Sequence, residues 1–237
     1  MPAASLARRV VAAAAVALAL LATGCQTLDD AGRGIGRSQL INDLAGRLDA
    51  ALASTYAAEY QLAGGATASI VQTQQPAPRA AYIYPAGLLT VTDEATAECD
   101  TGGERPVCTL TPPPAQAGKP PVTTFTSAKD RGLVTPPMVI GLLTSAALDP
   151  TTTTEETDST IAGRHATCVE VRPGSAEDGQ APFKTCVTSD GVLGSFTGTV
   201  DDTSVDLALV RYRDSVESSV FELPADALVV DRRDDTD

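Results

Sequence analysis

Apolar residues recur at three- and four-residue spacing from Ser38 onward. Leu40, Leu44, Leu48, Ala51, Leu52 and Thr55 share one side, while Asp43, Arg47 and Asp49 fall elsewhere. That period predicts an amphipathic helix that lays one stripe on a core, with Ser38 as its N-cap. Near Tyr56 the period falls to two. Tyr56, Ala58, Tyr60 and Leu62 alternate with Ala57, Glu59 and Gln61, the pattern of a half-buried strand. Gly64-Gly65 turns the chain into a return strand over 66–73, and Pro76 and Pro78 interrupt it. Strands over 79–84 and 88–92 flank the turn Pro85-Ala86-Gly87. Consecutive short strands with short turns predict an antiparallel meander.

Five prolines within 111–121 mark an extended loop. A second helix follows, with Thr135 at the N-cap and Pro136 at the first helical position. Val139, Leu142, Leu143, Ala146 and Ala147 form its inner stripe. Met138, Ile140 and Leu148 add apolar groups on other faces, and no charge occurs from Met138 to Leu148. A helix apolar nearly all round needs cover on more than one side. The core supplies one; more protein, a ligand or a membrane supplies the other. Asp149-Pro150 ends the helix, and Thr151 to Glu156 reads as a solvated loop. Strands then follow over 161–171, 182–188 and 192–199, the last after an Asp190-Gly191 turn. Val205, Leu207 and Leu209 alternate toward Tyr212, and a short strand over 220–223 precedes Pro224.

The first residues follow another pattern. Arg8-Arg9, the apolar run from Val10 to Leu21 and Ala22-Thr23-Gly24-Cys25 read as a bacterial lipoprotein signal. The run is shorter than the roughly 20 residues of a membrane-spanning helix. Cleavage before Cys25 leaves its sulfur and new amine to be acylated by palmitate or a similar chain, and two or three chains make a firm anchor. The rival reading is an ordinary secretory signal with an incidental cysteine. The expected division is a signal over 1–24, a glycine-rich tether over 25–37, one domain over 38–230 and an acidic tail over 231–237. The expected place is the extracytoplasmic face of the cell membrane.

Formal net charge is −13, and Arg8 and Arg9 are the only charged residues before Cys25. The rest is therefore more acidic still, and repels nucleic acid and anionic headgroups. Membrane attachment then falls to Cys25. Past it lie Cys99, Cys108, Cys168 and Cys186, an even number outside the cytosol, which suggests disulfides. Of three connectivities the nearest-neighbour one, Cys99–Cys108 with Cys168–Cys186, bridges two hairpins. Closing such loops contributes about 3 kcal/mol in the chain-entropy picture. A four-thiolate zinc site wants closely spaced Cys-x-x-Cys pairs, which are absent.

Catalytic chemistry finds little footing. His165 is the single histidine, and no Gly-x-Ser-x-Gly elbow accompanies it. Strand alternation puts His165 and Cys168 on opposite faces. Asp201-Asp202 and Glu155-Glu156 sit in polar stretches, and no calcium, zinc or phosphate-binding motif occurs. The expectation is a non-enzyme without metal or cofactor.

Five stretches carry a resemblance. A helix runs into Tyr56-Ala57-Ala58-Glu59-Tyr60, and Ala80-Ala81-Tyr82-Ile83-Tyr84-Pro85-Ala86-Gly87-Leu88-Leu89 follows the hairpin. Ile161-Ala162-Gly163-Arg164 precedes Cys168, and Asp190-Gly191-Val192-Leu193 follows Cys186. Phe221-Glu222-Leu223-Pro224-Ala225-Asp226-Ala227 closes the series. In this order, over roughly 38–230, they resemble the LolA-like lipoprotein fold, which includes the LppX/LprG envelope lipoproteins. The resemblance implies an α+β fold: a curved antiparallel sheet, an unclosed half-barrel, wrapped around two or more helices and enclosing an apolar cavity. It also implies one of two roles. The first is binding or shuttling lipid acyl chains, with Leu44, Leu48, Ile70, Ile83, Val139, Leu142 and Leu143 as the expected lining. The second is a non-catalytic envelope sensor or interaction module that meets a protein partner.

Overall fold

The computed structural model describes residues 24–116, 119–174 and 181–234, with side chains in the first helix from residue 36 onward. The expected signal and the last three residues of the tail lie outside the described residues. The chain divides into two units after Leu40. The first is helical from Gly24, and the second, from Ile41, carries the sheet.

Helix α1 spans Gly24–Ala51, so residues 25–37 are helical, and Ser38 sits inside the helix rather than at its cap. Gly32, Gly34 and Gly36 each cost roughly 1 kcal/mol against alanine, but no proline breaks the segment. Among its described side chains Ile41, Leu44, Leu48 and Ala51 are the buried ones, spaced three, four and three apart. The helix ends against a strand. Buried Gln72 donates from Nε2 to the carbonyl oxygens of Ala51 and Ser54, the latter at 2.9 Å. The buried amide is thus satisfied at the helix end, where the Ala51 carbonyl also accepts from the Ser54 N–H at 3.0 Å.

Strands β1 (Tyr56–Leu62), β2 (Thr67–Thr73), β3 (Arg79–Tyr84), β4 (Gly87–Val91), β5 (Thr96–Asp100) and β6 (Val107–Thr111) follow as a meander. Two helices come next, α2 (Thr126–Asp130) and α3 (Pro136–Leu148). Then come β7 (Thr153–Ile161), β8 (Arg164–Arg172), β9 (Phe183–Thr188), β10 (Leu193–Val200), β11 (Thr203–Arg213) and β12 (Leu228–Asp231). All twelve join one unclosed sheet in the order β12-β6-β5-β4-β3-β2-β1-β11-β10-β9-β8-β7. The fold is α+β. Neighbours are antiparallel except β12, which runs parallel to β6 and makes the sheet mixed.

One face carries the core. Tyr56, Ala58, Tyr60 and Leu62 on β1 and Val205, Leu207 and Leu209 on β11 are buried in strict alternation. Tyr60 donates its hydroxyl to the Leu193 carbonyl at 3.0 Å, and Phe125, just before α2, meets Tyr82 edge-on at 4.8 Å. Gly191, with φ +79°, sits in the turn before β10. A Cβ there would lie 2.3 Å from the Arg47 carbonyl oxygen, so helix and turn meet backbone to backbone.

The sheet is curved. The β7–β8 hairpin tip reaches over two strands, bringing the Arg164 guanidinium 3.7 Å above the Tyr212 ring on β11. On the outer face Phe221 packs against Val71 and Ala81, and Arg79 stacks on it at 4.8 Å. The expected strand over 220–223 is instead a short 3-10 turn, Ser218–Phe221. It staples the crossing segment to that face before the chain reaches β12.

Two further expectations change. Thr151 to Glu156 is not a loop: from Thr153 it is strand β7, and β8 begins only at Arg164. Helix α3 also needs less cover than its composition suggests. Met138, Val139, Leu143 and Ala146 are buried, and Ile140, Leu142 and Ala147 half-buried. The outward arc is Gly141, Thr144, Ser145 and Leu148, uncharged but mostly small or polar. Only Leu148, 80% exposed, is greasy and open. Thr135 and Pro136 hold the expected start positions, although the Thr135 hydroxyl is buried and makes no capping bond.

Asp149 ends α3, and its carboxylate accepts from the hydroxyls of Thr152 and Thr151 and from the Thr151 N–H. The Thr152 bond first, then those to Thr151, hold its pKa down at about 2. A depressed carboxylate stabilises fully above its unfolded value near 4 and loses that contribution as pH falls through about 2. Asp149→Asn is therefore expected to melt lower than the parent at pH 6 and to converge with it near pH 2. Thermal midpoints across that range are the check; a constant gap would contradict the hydrogen-bond account.

Candidate functional site

Five of the seven expected lining residues have no accessible surface. Leu44, Leu48, Ile70, Val139 and Leu143 are each 0% exposed. A side chain with no accessible surface touches no space as large as a water molecule, open or enclosed. Five of the seven are thus packed against their neighbours in this structure. Ile83 and Leu142 are half-buried. Ile83 pairs with Leu88 across β3 and β4, one residue off the core-facing Tyr82–Leu89 pair, and so belongs to the outer face.

Open space occurs elsewhere. A cleft of about 600 Å³ lies between the β3–β4 turn, β5, β6 and α2. Tyr84, Glu98, Asp100, Arg105, Asp130 and Arg131 are among its lining residues. The Tyr84 ring occupies the place that a Cβ on Gly87 would need, with its nearest ring atom 1.9 Å away. Tyr84 is only 6% exposed, yet its hydroxyl has no hydrogen bond among the described residues. Burial, then the Glu98 carboxylate, push its pKa up to about 12, so it stays a protonated donor.

Strand β7 is the sheet's last strand. Every residue from Glu155 to Thr160 is exposed, and only Thr154 and Ile161 are half-buried. Glu155 and Glu156, expected in a loop, are consecutive strand residues on opposite faces. Arg172 lies 3.6 Å from Glu155, and His165 Nε2 lies 3.6 Å from Asp158. The signal for this strand was its threonines, which favour extended backbone even without apolar alternation.

The chemistry-bearing residues scatter. Cys99 bonds Cys108 across β5–β6 and Cys168 bonds Cys186 across β8–β9, each between directly opposite residues. Cys168 thus holds no free thiol beside the exposed His165. Asp201 and Asp202 form the β10–β11 turn with φ of 45° and 64°, and Asp201 pairs with Lys129 at 3.1 Å. Among the described residues no three His, Cys, Asp or Glu side chains group closely enough to hold a metal, and no helix is long and apolar enough to cross a membrane. The Cys25 side chain lies outside the description.

No family model matches this chain, and no curated protein matches it. Solved structures do. A chain of the Pseudomonas aeruginosa MucA/MucB complex superposes with a TM-score of 0.49 at 15% identity, over 80% of this chain and 63% of that one. An uncharacterized conserved protein from Thermus thermophilus superposes at 0.45 with 13% identity, over 81% of this chain and 98% of that one. This chain thus spans a little under two thirds of the first.

Proposed function

We propose that this chain is a bacterial envelope lipoprotein, held on the extracytoplasmic face of the cell membrane by acylated Cys25. It works without catalysis, as a LolA-like module that binds a protein partner rather than an internal lipid. The order helix, meander, proline-rich loop, second helix and hairpins on one open, curved sheet supports the family reading. The observation that carries the choice of role is the 0% exposure of Leu44, Leu48, Ile70, Val139 and Leu143. An acyl chain gains about 0.8 kcal/mol per buried CH₂, but only where space exists to receive it. Around these five residues neighbouring side chains already occupy that space.

Two measurements test the proposal. Cys25→Ala is expected to leave the membrane fraction and to lose palmitate label; a membrane-bound variant would contradict the anchor. Native mass spectrometry of the purified protein is expected to show no lipid beyond that anchor. A stoichiometric second acyl species would overturn the role and favour carriage.

A further inference from the structure

The β7–β8 hairpin turns through Ala162 and Gly163, with φ of 49° and 76°. Positive φ at both central residues is the two-residue I′ turn, whose flanking residues form a hydrogen-bonded pair. Here these are Ile161 and Arg164, and pairing runs without a break from them to Thr153 and Arg172. Bonded pairs alternate along such a ladder. Thr153, Glu155, Thr157, Ser159 and Ile161 thus direct their N–H and C=O to β8. Thr154, Glu156, Asp158 and Thr160 direct theirs to the open side of the sheet. That edge has no proline, glycine, lysine or bulge, the usual devices that blunt an edge strand.

We propose that β7 is a strand-addition site for an extended basic segment of the partner protein, with Lys or Arg two residues apart facing Glu156 and Asp158. Those two carboxylates share one face, on the residues whose backbone is free. Glu156 has no ion pair among the described residues, and the single partner of Asp158 is His165 at 3.6 Å. The same charges exclude the obvious competitor. A second copy adding in the fully overlapped antiparallel register sets Glu156 against Asp158 twice, and like charges directly opposite destabilise a strand pair. A strand with basic residues at alternate positions meets attraction at both places and completes the ladder.

The proposal rests on the partner-binding role above and has its own test. The probe is a capped nine-residue peptide of threonine with lysine at its fourth and sixth positions, added to the full-length protein in detergent. Amide exchange, read residue by residue, is expected to slow at Thr154, Glu156, Asp158 and Thr160. Added salt is expected to weaken uptake. Glu156→Lys with Asp158→Lys is expected to weaken the lysine peptide by about tenfold or more, and to take up the matching glutamate peptide instead. No uptake, slowing away from β7, or indifference to the charge reversal would overturn strand addition. Those results leave the partner-binding role standing if the native mass stays lipid-free. Uptake on β7 together with a stoichiometric second lipid supports strand addition and removes that role.

Discussion

Replacing Leu143 with alanine is expected to lower the unfolding free energy by about 2–5 kcal/mol. Leu143 is fully buried on α3, the helix whose apolar content suggested a ligand wall. The two accounts of that helix differ here. A side chain that borders a ligand hollow already faces empty space, and its truncation enlarges a void with modest loss. A packed one loses its contacts and leaves a cavity that its neighbours fill only in part. Urea unfolding of parent and variant measures the difference. A loss below about 1 kcal/mol would show that Leu143 has room around it, and would revive the lipid reading.

The second large effect is expected at Cys168 and Cys186. Their separation is 18 residues, against 9 for Cys99 and Cys108. Loop-closure entropy then assigns about 3 kcal/mol to the longer loop and slightly less to the shorter. Position adds to this. Cys168–Cys186 ties β8 to β9, and beyond β8 only β7 remains. The double Cys168→Ala, Cys186→Ala variant is therefore expected to lose about 3 kcal/mol in denaturant and to show faster exchange first in β7 and β8. Equal stability with and without the bridge would mean that the ladder alone holds the hairpin.

Elements with one buried face were legible in the sequence. β1 and β11 alternate because one side meets the core and the other meets water, and the α1 stripe repeats for the same reason. Ile41 escaped notice because the stripe was anchored one residue earlier, at Leu40. β7 was missed because both its faces meet water, so no apolar period marks it. The same blindness hid the four-residue β12, whose partner β6 lies far back in the chain. α3 misled in the opposite sense. Glycine, threonine and serine on its outer arc carry no charge, so the absence of charge looked like a demand for cover. The cleft beside Tyr84 left no local trace either, because its walls come from three separated stretches.

The two ends of the sheet are unlike, and this has a consequence for self-assembly. β12 offers Leu228 and Val229, each about half exposed, beside Val107; β7 offers carboxylates. A copy that set its greasy end on the acidic end of the next would leave the same two ends free, and growth would never close. One feature opposes such a fibre: β12 is only four residues long, so it offers few backbone groups for pairing. Brevity thus works against polymerisation of an unfinished sheet.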